Sequence, residues 1–168
     1  MADLPKRKNN RLKDYDYSSA GLYFVTICTE QHMPILADIV GAIHESPELR
    51  LRQAGVIVKQ LIESLDFRFD VIVDKYVIMP NHIHMILWLQ DDRMQAIRKS
   101  SMQRSMLSQI VGYLKMNSSR EIHRHIPHVK VWQRSYHDHI IRSSADYEKI
   151  WQYIDNNPAK WQEDRYYR

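Results

Sequence analysis

Four stretches of the chain have the residue pattern of β-strands. Each is rich in β-branched and aromatic residues, and they cover 21–29, 70–79, 82–89 and 129–142. Only Pro80 and Asn81 separate the second stretch from the third, so these two are predicted to pair as an antiparallel hairpin. The fourth stretch is predicted to form a bent strand.

Helical spacing of apolar residues predicts three helices, which cover 48–65, about 102–117 and 143–157. Ser143 and Asp146 fit the ends of a capping box at the start of the last helix. The buried stripe of that helix is predicted to consist of Tyr147, Ile150, Trp151 and Ile154. Residues 30–47 are predicted to be irregular.

The order β-α-β-β-α-β followed by a C-terminal helix predicts an α+β, ferredoxin-like fold, an antiparallel sheet with helices on one face. The length of 168 residues suits one hydrophobic core, so we predict a basic arm over 1–20 and a single domain over 21–168. The lone cysteine, Cys28, excludes an internal disulfide. With no signal-peptide pattern and no apolar run of ~18 residues, the sequence predicts a cytoplasmic protein without membrane contacts.

Positive charge is concentrated in two blocks. Residues 1–13 carry five Lys or Arg against one acid, and residues 93–130 carry eight against one, within a net charge of +4. Such blocks favour a polyanionic partner, because each phosphate that is neutralised releases counterions. The predicted DNA contacts are Lys6, Arg7, Lys8, Arg11, Arg98, Lys99, Arg104, Lys115 and Arg134. The alternative is that these blocks are solvated faces and a solubilising tail.

His82 and His84 lie two positions apart in the third strand. Side chains alternate between the two faces of a strand, so both imidazoles are predicted to point away from the core side, to which Ile83 points. Two imidazoles on one face can hold a divalent metal. The pattern alone is weak, because surface and core histidines are common. The same spacing recurs at His123/His125 and His137/His139.

Tyr153 and Asn157 are four positions apart on the last predicted helix, so they project on the same side. The amide oxygen of Asn157 could complete a metal site begun by two histidines, and the phenol of Tyr153 could be an attacking group. The alternative is that Tyr153 is one of ten tyrosines at a helix edge and that Asn157 ends the helix before Pro158.

Three motifs occur in order along the chain: MPNHIHMIL from Met79, WQRSYHDHIIR from Trp132 and YIDNNPAK from Tyr153. Together with the opening Tyr15-Asp-Tyr-Ser and the later Gly21-x-Tyr-Phe-Val-Thr, they resemble the REP-associated tyrosine transposases. These are a bacterial branch of the single-tyrosine, His-hydrophobe-His transposases. The resemblance covers nearly the whole chain.

The resemblance implies a ferredoxin-like fold and cleavage of single-stranded DNA near folded palindromes. It implies that His82 and His84 bind Mg²⁺ or Mn²⁺, that Asn157 is a polar third ligand, and that Tyr153 is the nucleophile. Attack by Tyr153 would leave a 5′-phosphotyrosine and a free 3′-OH. Partners are then single-stranded or hairpin DNA, and a homodimer in which Tyr153 serves the histidines of a second copy stays open.

Asp138 and His139 precede the last helix and could support the site or orient the scissile strand, with a packing role as the alternative. Trp132 and Tyr136 could stack on unpaired bases or pack in the core. Two other functions are considered. One is a non-catalytic protein that binds structured DNA repeats, and the other is a metal hydrolase, for which the sequence shows no extra acidic ligand near His84.

Overall fold

The computed structural model describes residues 20–41, 48–90 and 105–167. Its strands are β1 (Gly21–Cys28), β2 (Ala37–Val40), β3 (Glu48–Leu51), β4 (Val71–Ile78), β5 (His82–Leu89) and β6 (His137–Ile141). Its α-helices are α1 (Gln53–Glu63), α2 (Met106–Ile122) and α3 (Ser144–Asn156). None of these described helices has both the length and the apolar character needed to cross a membrane.

Four strands form one sheet in the order β4-β5-β1-β6, in which every neighbouring pair is antiparallel. With α1 between β1 and β4, and α2 between β5 and β6, this is the predicted ferredoxin-like arrangement. β2 and β3 form a separate two-stranded ribbon. The fold class predicted from the sequence is therefore confirmed.

The two faces of the sheet are covered by different helices. Side chains of β5 that point to one face, such as Ile83 and Met85, belong to the core that includes the apolar residues of α1 and α2. On the other face, Ile86 packs with Ile150 and Ile154 of α3 in a second cluster. Because side chains alternate along β5, His82 and His84 lie on the face that α3 covers.

Residues 48–51, predicted to begin a helix, instead form β3. They pair with β2, which lies in the stretch predicted to be irregular. The position of Leu51 is compatible with the apolar spacing of a helix and with that of a strand. Pairing with β2 makes this segment a strand. α1 begins one residue beyond Arg52, whose N–H donates to the carbonyl of Leu36 at 2.9 Å. Gly55 permits this approach, because a Cβ there would lie 2.1 Å from the Leu36 oxygen.

The region between α2 and α3 also departs from prediction. α2 continues to Ile122, so Asn117 and Ser118, expected at its end, lie inside it. Their side chains donate to the carbonyls of Tyr113 and Leu114 within the helix and do not end it. The stretch predicted as one long strand pairs with β1 only at 137–141, apart from one isolated bridge.

Lys115 gives the physical reason for the shorter strand. Its ammonium donates to the carbonyls of Gln133 and Ser135 at 2.9 and 2.8 Å, so a side chain takes carbonyls that a ladder would use. Trp132, in the same segment, is buried and donates to Ser118 Oγ at 2.8 Å, which agrees with its core alternative.

Ser143 is the N-cap of α3, as the predicted capping box requires, and its Oγ accepts from the N–H of Asp146 at 3.2 Å. The Asp146 carboxylate bonds instead to His139. The buried stripe is confirmed at Ile150 and Ile154 and is wrong at Trp151, which is 38% exposed. The indole of Trp151 lies under the Lys75 ammonium, 3.1 Å from the ring centroid.

The turn between β4 and β5 is tied to the end of β1. The N–H of Met79 donates to the carbonyl of His82 at 2.9 Å. The N–H and hydroxyl of Thr29 both donate to the carbonyl of Asn81, each at 2.9 Å. The first residue of β5, which is His82, is thereby held in a fixed position relative to the sheet.

Candidate metal and tyrosine site

The two histidines of β5 are adjacent and completely buried, with ring centroids 4.4 Å apart. Nδ1 of His84 lies 2.8 Å from Thr26 Oγ1, and Nδ1 of His82 lies 2.9 Å from Asn81 Oδ1. Because the Asn81 amide nitrogen donates to the carbonyl of Tyr166, its oxygen is the acceptor and His82 Nδ1 carries a proton. Nε2 of His82 therefore keeps its lone pair, and no described atom hydrogen-bonds to it.

Burial lowers the pKa of His82 to about 4 and holds the pKa of His84 well below its ordinary value. The nearby His82 lowers the pKa of His84 further. Both imidazoles are thus neutral near pH 7, which is the form that binds metals.

Tyr153 projects from α3 toward these histidines. Its hydroxyl lies 3.3 Å from His84 Nε2 and donates to Asp164 Oδ2 at 3.0 Å. The ring packs edge-on against Phe24, and 39% of the side chain stays exposed. Burial first, then the charge and hydrogen bond of Asp164, raise the pKa of the Tyr153 hydroxyl well above its ordinary value. In this arrangement the phenol is protonated at neutral pH.

Asp164 is the residue that the sequence analysis missed. It follows the short 3-10 helix Trp161–Glu163, and its Oδ1 accepts from the N–H of Tyr166 at 2.7 Å. One ligand atom each from His82, His84 and Asp164 lie within 4.8 Å of one another. The sequence that follows His84 supplies no acidic ligand, and the carboxylate near His84 comes instead from Asp164, far along the chain. No periodic signal marks Asp164, because it lies beyond α3 in an irregular segment.

Asn157 is the C-cap of α3 and is buried beside this group. Its amide nitrogen donates to Asp164 Oδ2 at 2.7 Å, while its Oδ1 is buried without a hydrogen-bond partner among the described residues. The metal-ligand role of Asn157 stays a prediction, and Asp164 is a charged alternative for it.

The aromatic ring of Tyr166 covers the two histidines. Its ring centroid lies 4.6 Å from that of His82 and 5.8 Å from that of His84, and Trp161 packs at 5.9 Å from His82. The segment after α3 therefore supplies both the carboxylate and the apolar cover of the site.

The residues present fit a divalent cation. A buried imidazole nitrogen with an unused lone pair, a second neutral imidazole and a carboxylate are a donor set that such ions accept. Without a cation, His82 Nε2 and Asn157 Oδ1 are buried with no hydrogen-bond partner among the described residues, which is costly because each has lost its hydration.

The other predicted residues are not members of the group formed by His82, His84 and Asp164. His139 is exposed on β6 and lies 2.8 Å from Asp146, and Asp138 lines the same cleft between β6 and α3. Lys115 is directed at backbone carbonyls, and burial lowers its pKa to about 8. Arg134 is exposed. The remaining predicted DNA contacts lie outside the described residues: Lys6, Arg7, Lys8, Arg11, Arg98, Lys99 and Arg104.

Comparison with known proteins gives consistent results. An uncharacterized protein of Haemophilus influenzae is 32% identical over 99% of this chain and 96% of its own. A second H. influenzae protein, provisionally named a REP-associated tyrosine transposase, is 27% identical over 86% of this chain and 74% of its own. A solved REP-associated tyrosine transposase bound to a REP hairpin superposes with a TM-score of 0.56 at 18% identity, covering 90% of this chain and 73% of that one.

That structural likeness supports a common fold. The family model described as "Transposase IS200 like" matches residues 49–157, which include the paired histidines, Tyr153 and Asn157. This match covers well over half of the chain. The chain belongs to the IS200-like transposase family.

Proposed function

We propose that this transposase cuts and rejoins single-stranded DNA through a covalent bond to Tyr153. The observation that carries the proposal is the position of the Tyr153 hydroxyl, 3.3 Å from His84 Nε2 and 3.0 Å from Asp164 Oδ2 in the same chain. The Tyr153 hydroxyl and the candidate metal ligands His84 and Asp164 thus lie close together within one chain, so no second copy of the protein is needed to bring them together. This geometry favours an active site formed within one chain.

In the cleavage step the Tyr153 oxygen attacks a backbone phosphorus and the bond from phosphorus to the 3′-oxygen breaks. The phenolic proton is lost, and the departing 3′-oxygen takes up a proton. The products are a 5′-phosphotyrosine and a free 3′-OH. A different 3′-OH can reverse the step, which releases Tyr153 and joins two strands.

His82, His84 and Asp164 would hold Mg²⁺ or Mn²⁺, with Asn157 Oδ1 as a further oxygen donor. The bound cation would supply positive charge that stabilises the phosphoryl transition state and the phenolate. Asp164 orients the Tyr153 hydroxyl through its hydrogen bond, and Asn157 in turn orients Asp164. Thr26 and Asn81 fix the two imidazole rings.

A DNA hairpin is the proposed substrate class. The solved relative with the same fold is bound to a REP hairpin. Tyr153 lies where two open clefts meet, so a strand can reach its hydroxyl from the surface.

The test is the formation of a covalent adduct between the protein and a DNA hairpin with single-stranded flanks, in the presence of Mn²⁺. Tyr153→Phe should abolish the adduct and leave hairpin affinity within about twofold, because only a hydroxyl is lost. Tyr147→Phe is the matched control, since Tyr147 lies on the same helix and its hydroxyl bonds to Asp74 instead. An adduct that survives in Tyr153→Phe would show that another residue is the nucleophile.

The same assay separates the alternatives. Hairpin binding without an adduct or cut product would favour the non-catalytic DNA-binding protein. Cut product without an adduct would favour a metal hydrolase that uses water, a possibility that the carboxylate of Asp164 makes chemically reasonable.

A further inference from the structure

Most lysines in the described part of the chain already have a bonding partner. Three of them, Lys59, Lys75 and Lys130, pair with carboxylates. A fourth, Lys115, donates to two backbone carbonyls. Lys149 and Lys160 are exposed, and their side-chain ammonium groups form neither an ion pair nor a hydrogen bond with any described residue. Both belong to the surface around Tyr153.

Two clefts meet at Tyr153. One, of about 320 Å³, lies between α3 and the segment that follows it, and Lys160 lines it. The other, of about 390 Å³, lies between α3 and β6, and Phe24 and His139 line it. Tyr153 and Lys149 are the two residues that line both clefts. A strand that runs past the Tyr153 hydroxyl therefore also passes Lys149.

The spacing of these residues suits a phosphodiester chain. Lys149 precedes Tyr153 by four positions, so it lies on the same side of α3 and about 6 Å away along the helix axis. Successive phosphates of an extended single strand are separated by a similar distance. If one phosphate is attacked by Tyr153, the next one falls within reach of the Lys149 ammonium.

The Lys149 ammonium forms no ion pair at contact distance with a described carboxylate. Asp146 is near enough for the charge of Lys149 to contribute to its lowered pKa, but its carboxylate hydrogen-bonds to His139 at 2.8 Å, and Asp164 accepts from Tyr153, Asn157 and the backbone. Glu163 and Asp164 line the cleft that both lysines share. Lys160 lines only this cleft, whereas Lys149 also lines the second one, so Lys160 is expected to make the weaker contact with a strand.

We infer that Lys149 binds the phosphodiester adjacent to the scissile one and so positions the strand for Tyr153, with Lys160 making a weaker contact on the other side. This inference rests on the proposed function. Lys149 is a positioning residue, because it acts by holding the strand rather than by reacting with it.

The first test is the salt dependence of binding to a DNA hairpin with single-stranded flanks, measured with a metal chelator so that no cleavage is required. Loss of one phosphate contact to a single strand reduces the slope of log Kd against log salt by about 0.7. Lys149→Gln should show this reduction and Lys149→Arg should not. Lys59→Gln is the matched control, because Lys59 lies on α1 on the opposite face of the sheet. Equal slopes for Lys149→Gln and Lys59→Gln would overturn the inference.

The second test locates the contact. Single phosphates in the flanks are replaced one at a time by uncharged methylphosphonates, and the affinities of wild type and Lys149→Gln are compared as a double-mutant cycle. One position should lose its effect in Lys149→Gln, and it should neighbour the cut site mapped with Mn²⁺. No such position, or one further from the cut, would contradict the inference. A clear Lys149–phosphate pairing in a wild-type protein that never cuts would count against the proposed function alone.

Discussion

Two His-x-His pairs lie on the same face of the same sheet but differ in strand position and in burial. His82 and His84 are on the interior strand β5, and His137 and His139 are on the edge strand β6. Thr26 of β1 is in register with both His84 and His137, so one strand separates the pairs. The first pair is completely buried, whereas the second is exposed.

The difference shows that the surroundings of a His-x-His pair, rather than the motif itself, determine whether its imidazoles are buried. The ring of Tyr166 covers the pair on β5 and excludes water, and this burial lowers the pKa values of both imidazoles and keeps them neutral. On β6, His139 reaches an exposed carboxylate, Asp146, whose pKa is lowered by that contact. A solvated pair with a charge partner is suited to structural or DNA contacts, and a buried pair beside a carboxylate is suited to a cation.

Metal affinity is where the two pairs should differ most. His82→Ala or His84→Ala removes an imidazole donor from a site of few ligands and should weaken Mn²⁺ binding at least ~100-fold, by analogy with the 10- to 100-fold cost of losing supporting contacts alone. His139→Ala should change the affinity by less than about twofold. Calorimetric titration with Mn²⁺ measures both. Equal losses in the two pairs would remove the basis of the comparison.

The stability of the metal-free protein should depend on pH through the buried pair. His82 has a pKa of about 4 in the folded protein against 6.5 in the unfolded chain, so the unfolded chain binds more protons between these values. The stabilisation is complete above about pH 6.5 and is lost as the pH falls toward 4. The free energy of unfolding should fall by about 3 kcal/mol over this range. His84 acts in the same direction.

Denaturant unfolding in a chelator, repeated between pH 7 and pH 4, tests this dependence. His82→Gln should flatten the decline in unfolding free energy, whereas His139→Gln should retain it. An unchanged decline in His82→Gln would mean that other groups cause the acid sensitivity.

Local periodicity was sufficient to predict the elements that carry the pair on β5. The bounds of β5 and the side to which Ile83 points follow from alternation along a short apolar strand, because one face is buried against α1 and α2. The i, i+4 relation of Tyr153 and Asn157 follows from the geometry of α3 in the same way. The exposure of Trp151 was not predicted, because a cation over its ring depends on Lys75 of a distant strand.

Asp164 was beyond the reach of such reasoning. Its place in the site depends on how the chain turns after α3, where Asn157 and the N–H of Tyr166 each donate to it. Likewise, the shortness of β6 depends on Lys115, which lies in another element. Contacts between residues far apart in sequence produce no periodic pattern along the chain. In this site such a contact brings in the carboxylate of Asp164, which lies beside the histidines.

The smallest expected difference concerns the carboxylate that accompanies each histidine pair. Asp164→Asn keeps an oxygen acceptor for the Tyr153 hydroxyl and an oxygen that can still face the cation, but it removes the negative charge. Mn²⁺ affinity should therefore fall about 10-fold, less than when a whole imidazole ligand is lost. Loss of the same charge should also lower the pKa of Tyr153 toward its ordinary value. Asp146→Asn, at the His139 pair, should change neither quantity. Ultraviolet titration of the phenolate, taken as the difference from the matching Tyr153→Phe protein, isolates this tyrosine. An unchanged Mn²⁺ affinity with a lowered Tyr153 pKa would mean that Asp164 only positions the phenol, leaving Asn157 as the third ligand.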